Sequence, residues 1–118
     1  MEKIQIFHNP SCSTSNKAML LLKDFDVEID TILYLKKTPT ASKIKALLKK
    51  LNLPAEGIVR KKEPIFIENF AGKTYTEDEW IEILVKNPKL IERPIVIKGR
   101  KAIIARPVEN INELMKKK

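Results

Sequence analysis

The stretch His8-Asn9-Pro10-Ser11-Cys12-Ser13-Thr14-Ser15-Asn16 holds the only cysteine and the only histidine of the chain, flanked by hydroxyl and amide side chains. Cysteine attacks as its thiolate. An ordinary pKa of ~8.5 leaves little thiolate at neutral pH, whereas a helix N-terminus or a nearby cation lowers the value to roughly 3.5–7.5. Strong helix formers, NKAMLLLK, follow the cysteine, so a helix is expected to begin at Ser13 or Thr14, either of which is an acceptable N-cap. The first turn of that helix offers unpaired N–H groups at 13–16 to a thiolate or a bound oxyanion. Ser13, Thr14, Ser15 and Asn16 add further donors, although N-capping alone accounts for at least one of the hydroxyls. His8 can assist the thiolate as imidazolium or by a hydrogen bond; by itself it also fits a satisfied histidine at a strand end. A free cysteine commonly behaves as a small buried hydrophobe. The polar neighbours and the proline turn favour a reactive thiol here.

Two motif comparisons narrow the chemistry. A C-x-x-C dithiol resolves its mixed disulfide with a second thiol, and the fourth position here is Ser15, so turnover has to borrow an external thiol. A phosphatase-type C-x5-R loop grips phosphoryl oxygens with an arginine six residues after the nucleophile. That place holds Ala18.

The 118 residues suit a single domain able to bury a core without disulfide or metal support, and no Cys/His cluster offers a metal site. The start of the chain, MEKIQIFHNP, lacks a long apolar stretch, and no window approaches a membrane span. A cytoplasmic location, where a free thiol stays reduced, is the expectation. The formal charge of +8 and a pI near 9.6 allow nucleic acid, an acidic surface or a small anion as partner. The basic residues are 19 Lys and only four Arg, with Lys in pairs and a terminal triplet as on solvated helix faces. Arginine presents a flat fork of donors suited to oxyanions and is not interchangeable with lysine, which singles out Arg60, Arg93, Arg100 and Arg106. Stacking motifs, recognition-helix signatures and zinc spacings are missing, so nucleic acid is not expected as a partner.

The elements that would position these residues follow from periodicity. Residues 3–8 alternate as a first strand, the helix follows the cysteine, and 27–35 alternate as a second strand, together a β-α-β unit. Thr38-Pro39 reads as an N-cap with Pro at the first helical position, opening a helix that runs to about Leu51 on Ile44, Leu47, Leu48 and Leu51. Thr76-Glu77-Asp78-Glu79 is a capping box, with Trp80, Ile83 and Leu84 as the apolar stripe of a helix ending near Asn87-Pro88. Trp80 is expected in the core. Residues 94–97 and 102–104 flank the turn Lys98-Gly99-Arg100-Lys101 as a hairpin, and VENINELMKKK reads as a terminal helix with Lys at its C-terminal end. Residues 52–75 allow a short helix or a mobile loop. The whole is an α/β architecture, a mixed sheet with flanking helices.

HNPSCSTS, together with GIVRKKEP, ERPIVIKG and IIARPVENI, closely resembles the glutaredoxin-coupled arsenate reductase family, nearly end to end. The resemblance implies a thioredoxin-like fold with a helical insertion. It places the nucleophile on Cys12, the thiolate-tuning histidine on His8, the loop serine on Ser15, and three oxyanion arginines on Arg60, Arg93 and Arg106. It also implies a cis Arg93-Pro94 bond, against a sequence-independent frequency of about 5–6% for X-Pro. Many relatives carry Gly after the cysteine; this chain has Ser13, whose side chain either crowds the anion pocket or adds a donor. Arg100 matches no functional position and is read as surface.

Arsenate is a multiply charged oxyanion, so a thiolate approaching it meets like-charge repulsion that cations must screen. The implied activity is reduction of arsenate to arsenite through a Cys12 adduct, with glutathione as co-substrate, glutaredoxin as partner and no tightly bound cofactor. The chain is expected to be a monomer. The alternative from another class is a redox-responsive regulator of the same fold that binds RNA polymerase. Such proteins usually carry C-x-x-C where this one has C-S-T-S.

Overall fold

The structure, a computed structural model, describes residues 2–115. It divides into two compact units, one built from the two ends of the chain (up to Lys37 and from Arg93 onward) and one from Thr38–Glu92.

In the first unit, Ile4 and Ile6 alternate with polar neighbours along β1 (Glu2–Phe7) and are fully buried, as a strand with one face on a core requires. The chain then forms α1 (Ser13–Leu22) and returns as β2 (Val27–Ile32), parallel to β1 with Ile4 opposite Ile29. β2 stops three residues short of the sequence expectation because the Leu33 carbonyl accepts the Lys36 and Lys37 amides and turns the chain. Tyr34, in that turn, is buried and stacks on Phe7 with ring centroids 5.8 Å apart. β3 (Ile95–Lys98) and β4 (Lys101–Ile104) form the expected hairpin. Gly99 supplies a φ of 59° in its two-residue turn, the left-handed conformation that primed hairpin turns demand. β3 pairs antiparallel with β1, giving the strand order β2-β1-β3-β4, a mixed sheet. Ile4, Ile6 and Val96 meet Ala18 and Leu22 of α1 and Ile111 and Leu114 of α5 (Asn110–Met115), with Ala105 completing the cluster. The i, i+4 and i, i+3 spacings put each helical pair on one face. The lysines expected at the end of α5, Lys116–Lys118, lie outside the described residues.

The second unit contains α2 (Ala41–Leu51), α3 (Pro64–Asn69) and α4 (Glu77–Lys86), with short 3-10 turns at Ala55–Ile58 and Pro88–Leu90. The N-cap of α2 is Thr40, whose Oγ1 accepts the Lys43 amide at 3.3 Å; it is not Thr38. Both threonines are capable caps, but Pro39 is buried just outside the helix and acts as a hydrophobic residue ahead of it. α2 ends at Asn52 in the left-handed region, φ 59°. The capping box of α4 is formed as expected, Thr76 Oγ1 accepting the Glu79 amide and Glu79 accepting the Thr76 amide. Glu77 in the same first turn accepts the Ala55 amide at 3.0 and 3.2 Å. Trp80 is buried in an aromatic cluster, 6.3 Å from Phe66 and edge-on to Tyr75 at 4.8 Å. The segment 52–75 is thus a 3-10 turn, an antiparallel bridge from Val59 to Ile91, and the short helix α3. Among the described residues no helix is long and apolar enough to cross a membrane.

Candidate functional site

The loop between β1 and α1 is folded by its own side chains. The Asn9 carbonyl accepts the Cys12 amide at 3.0 Å, closing a turn with Pro10 at its second position, and Asn9 Oδ1 accepts the Ser11 amide at 3.0 Å. Cys12 is itself the N-cap of α1, with extended backbone angles of φ −103° and ψ 122°, so neither Ser13 nor Thr14 takes that position. An N-cap side chain faces the amides two and three residues on. In this chain the side chain so placed is the thiol, and the amides are those of Thr14 and Ser15.

The electrostatic balance at sulfur follows from this placement. Burial raises the Cys12 pKa. The Ser15 amide, the Arg93 guanidinium as donor and as charge, and the Thr14 amide together outweigh it, and the net value lies below that of an ordinary thiol.

Arg93 and Arg106 arrive together because of the hairpin. Ile95 pairs with Ile104, and two further steps along the same register set Arg93, just before β3, opposite Arg106, just after β4. Arg106 Nε donates to the Arg93 carbonyl at 3.3 Å, and its Nη2 lies 3.8 Å from Cys12 Sγ. Arg93 is half-buried and Arg106 exposed, which makes Arg93 the stronger influence on the sulfur. The Arg93-Pro94 bond is cis, as the resemblance implied, and Arg106-Pro107 is cis as well.

His8 is buried and its Nδ1 lies 2.6 Å from Ser15 Oγ, which also accepts the Asn9 amide at 3.1 Å. Burial lowers the His8 pKa and keeps the ring neutral near pH 7, which disfavours the imidazolium form considered from sequence. With a neutral ring, the simplest bonding has Ser15 donate to Nδ1 while accepting from Asn9, leaving the ring proton on Nε2. Ser15, fully buried, thus ties the end of β1 to the first turn of α1. Ser13 is exposed and Thr14 half-buried. Asn16, read as a donor for the thiolate, instead donates its side-chain amide to the Pro10 carbonyl at 3.0 Å.

Arg60 belongs to the second unit. Its amide donates to the Leu90 carbonyl and its Nε lies 3.4 Å from Glu63 Oε2, with both side chains largely covered. Arg100 is exposed at the hairpin turn. Asn9 was not singled out from sequence, although an asparagine directly before proline is the signature of the side-chain turn it forms.

The mixed four-stranded sheet with flanking helices is a thioredoxin-like fold, and the loop after its first strand carries the lone cysteine. Residues 7–114 match the ArsC family model, and the chain belongs to that family. It is 40% identical over 116 residues to the uncharacterised protein YfgD of Escherichia coli (strain K12), spanning 97% of this chain and 98% of that one. It is 35% identical over 117 residues to an arsenate reductase of Neisseria meningitidis serogroup B, spanning 98% and 100%. The solved structure of an arsenate reductase from Vibrio cholerae superposes with a TM-score of 0.91 at 32% identity, over 97% of this chain and 98% of that one.

Proposed function

We propose that this protein reduces arsenate to arsenite through Cys12, with glutathione and glutaredoxin as the external reductants. The observation that carries the reading is the surroundings of one sulfur: two helix amides and the Arg93 guanidinium lower its pKa, and Arg106 stands 3.8 Å away. The same donors that hold a thiolate suit the oxygens of a tetrahedral oxyanion brought against it. The names of the relatives supply the substrate.

In this reading the Cys12 thiolate attacks arsenic and displaces hydroxide, which leaves as water after protonation, forming a sulfur–arsenic(V) bond. A glutathione thiolate then attacks the Cys12 sulfur. A disulfide forms, the electron pair of the sulfur–arsenic bond passes to arsenic, and arsenite departs. The two thiols have supplied the two electrons. A glutaredoxin thiolate next attacks the glutathione sulfur of the mixed disulfide and releases Cys12 as thiolate. The lack of a second cysteine makes this external relay necessary. Arg93 and Arg106 screen the approach of the anion, and the GIVRKKEP resemblance assigns an oxyanion role to Arg60 as well. Such chemistry belongs in a reducing compartment, the cytoplasm, and needs no more than a monomer.

The test is arsenate-dependent NADPH oxidation coupled through glutathione, glutathione reductase and glutaredoxin. The wild type should turn over, and Cys12→Ser should fall to background. Equal rates for the two would overturn the reading in favour of a regulatory role or another substrate.

A further inference from the structure

The Cys12 loop is clamped from two sides, and only the inner clamp, His8 and Ser15, coincides with residues that the family resemblance marks. The outer clamp is Asn16. Its backbone amide donates to the Cys12 carbonyl at 3.0 Å as the first turn of α1, and its side-chain amide donates to the Pro10 carbonyl at 3.0 Å. One residue thereby grips the loop on both sides of Ser11. Asn9 completes the brace from the strand side through the Ser11 and Cys12 amides. These bonds tie down the Pro10 carbonyl and the Ser11 and Cys12 amides, the polar backbone groups of an otherwise exposed turn.

We propose that Asn16 is a positioning residue: its bond to the Pro10 carbonyl fixes the turn so that Cys12 keeps the extended N-cap conformation in which its sulfur faces the amides of Thr14 and Ser15. A sulfur at an N-cap stays over the first turn only while the backbone of that residue remains extended, and the preceding turn sets that backbone. Pro10 sets its own φ in the turn, but its carbonyl is not used by the Asn9–Cys12 closing bond and needs a separate donor. Asn16 supplies that donor. The proposal rests on the reading that Cys12 works as a thiolate, and it does not depend on which oxyanion the thiolate meets.

The experiment titrates the thiolate by its far-ultraviolet absorbance in the wild type, Asn16→Ala and Asn16→Gln, with urea unfolding of each in parallel. In Asn16→Ala the thiol midpoint should rise by about half a unit, roughly a threefold loss of thiolate at a pH below the midpoint, as expected for one partly exposed hydrogen bond. Alanine is the better helix former, so fold stability should hold while the midpoint climbs. A purely structural side chain would not produce that divergence. Asn16→Gln retains the donor on a longer arm and should recover part of the shift. An unchanged midpoint in Asn16→Ala, or one that moves only in step with lost stability, overturns the proposal. A normal Asn16 effect in a protein that fails to reduce arsenate would leave the proposal standing and remove the functional reading instead.

Discussion

The guanidinium of Arg93 is half-buried and acts on Cys12 both as donor and as charge, whereas that of Arg106 is exposed and meets the sulfur at 3.8 Å. Exposed charges are screened by salt and count for little. Arg93→Gln is therefore expected to raise the Cys12 midpoint more than Arg106→Gln, and added salt should erase the smaller effect first. A comparison of arsenate kinetics should show Arg106→Gln raising KM with little change in kcat. Ser15→Ala leaves the buried His8 Nδ1 and the Asn9 amide without their shared partner, and urea unfolding should register a loss of about 1–3 kcal/mol. His8 has a definite sign. Its folded pKa lies below the ordinary 6.5, so the stability gained by burying the neutral ring is complete above that value and is lost as the pH falls through the lowered one. Replacing His8 by Gln should flatten this acid limb, as read by melting temperature against pH.

At the scale of elements, features specified by neighbouring residues are legible in the sequence, and features set by contacts distant along the chain are not. The capping box of α4 needs only Thr76 and Glu79, three residues apart, and both of its bonds formed. Thr76→Ala should cost about 1 kcal/mol, seen as a lowered melting temperature with no change in thiol chemistry. The start of α2 depends on whether Pro39 lies inside the helix or is buried ahead of it, which no local pattern states. α1 shows the reverse case, where chemistry overrides propensity. Ser13 is the better cap by residue type, yet Cys12 takes the position because the turn closed by Asn9 ends there. In 52–75 the turn signals were visible, but the bridge from Val59 to Ile91 pairs residues more than thirty positions apart.

Across the whole molecule, the mixed sheet follows from alternation and turn chemistry, while the meeting of Arg93 with Arg106 follows from hairpin register. The hairpin was legible in Lys98-Gly99-Arg100-Lys101, and its register, once set by a two-residue turn, carries to both arginines. The sequence marked them by type, in a chain that uses lysine by default. Each unit has its own apolar centre. Leu22→Ala in the first and Trp80→Ala in the second remove side chains buried among fixed neighbours. Losses of about 2–5 and 3–5 kcal/mol respectively are expected in denaturant unfolding.

The central claim, that the surroundings of Cys12 favour its thiolate, is tested most directly by the pH dependence of its alkylation with iodoacetamide. A single cysteine makes the product unambiguous by mass. The account predicts a rate that rises with pH to a midpoint below the value of an ordinary thiol. A midpoint at or above that value would contradict it.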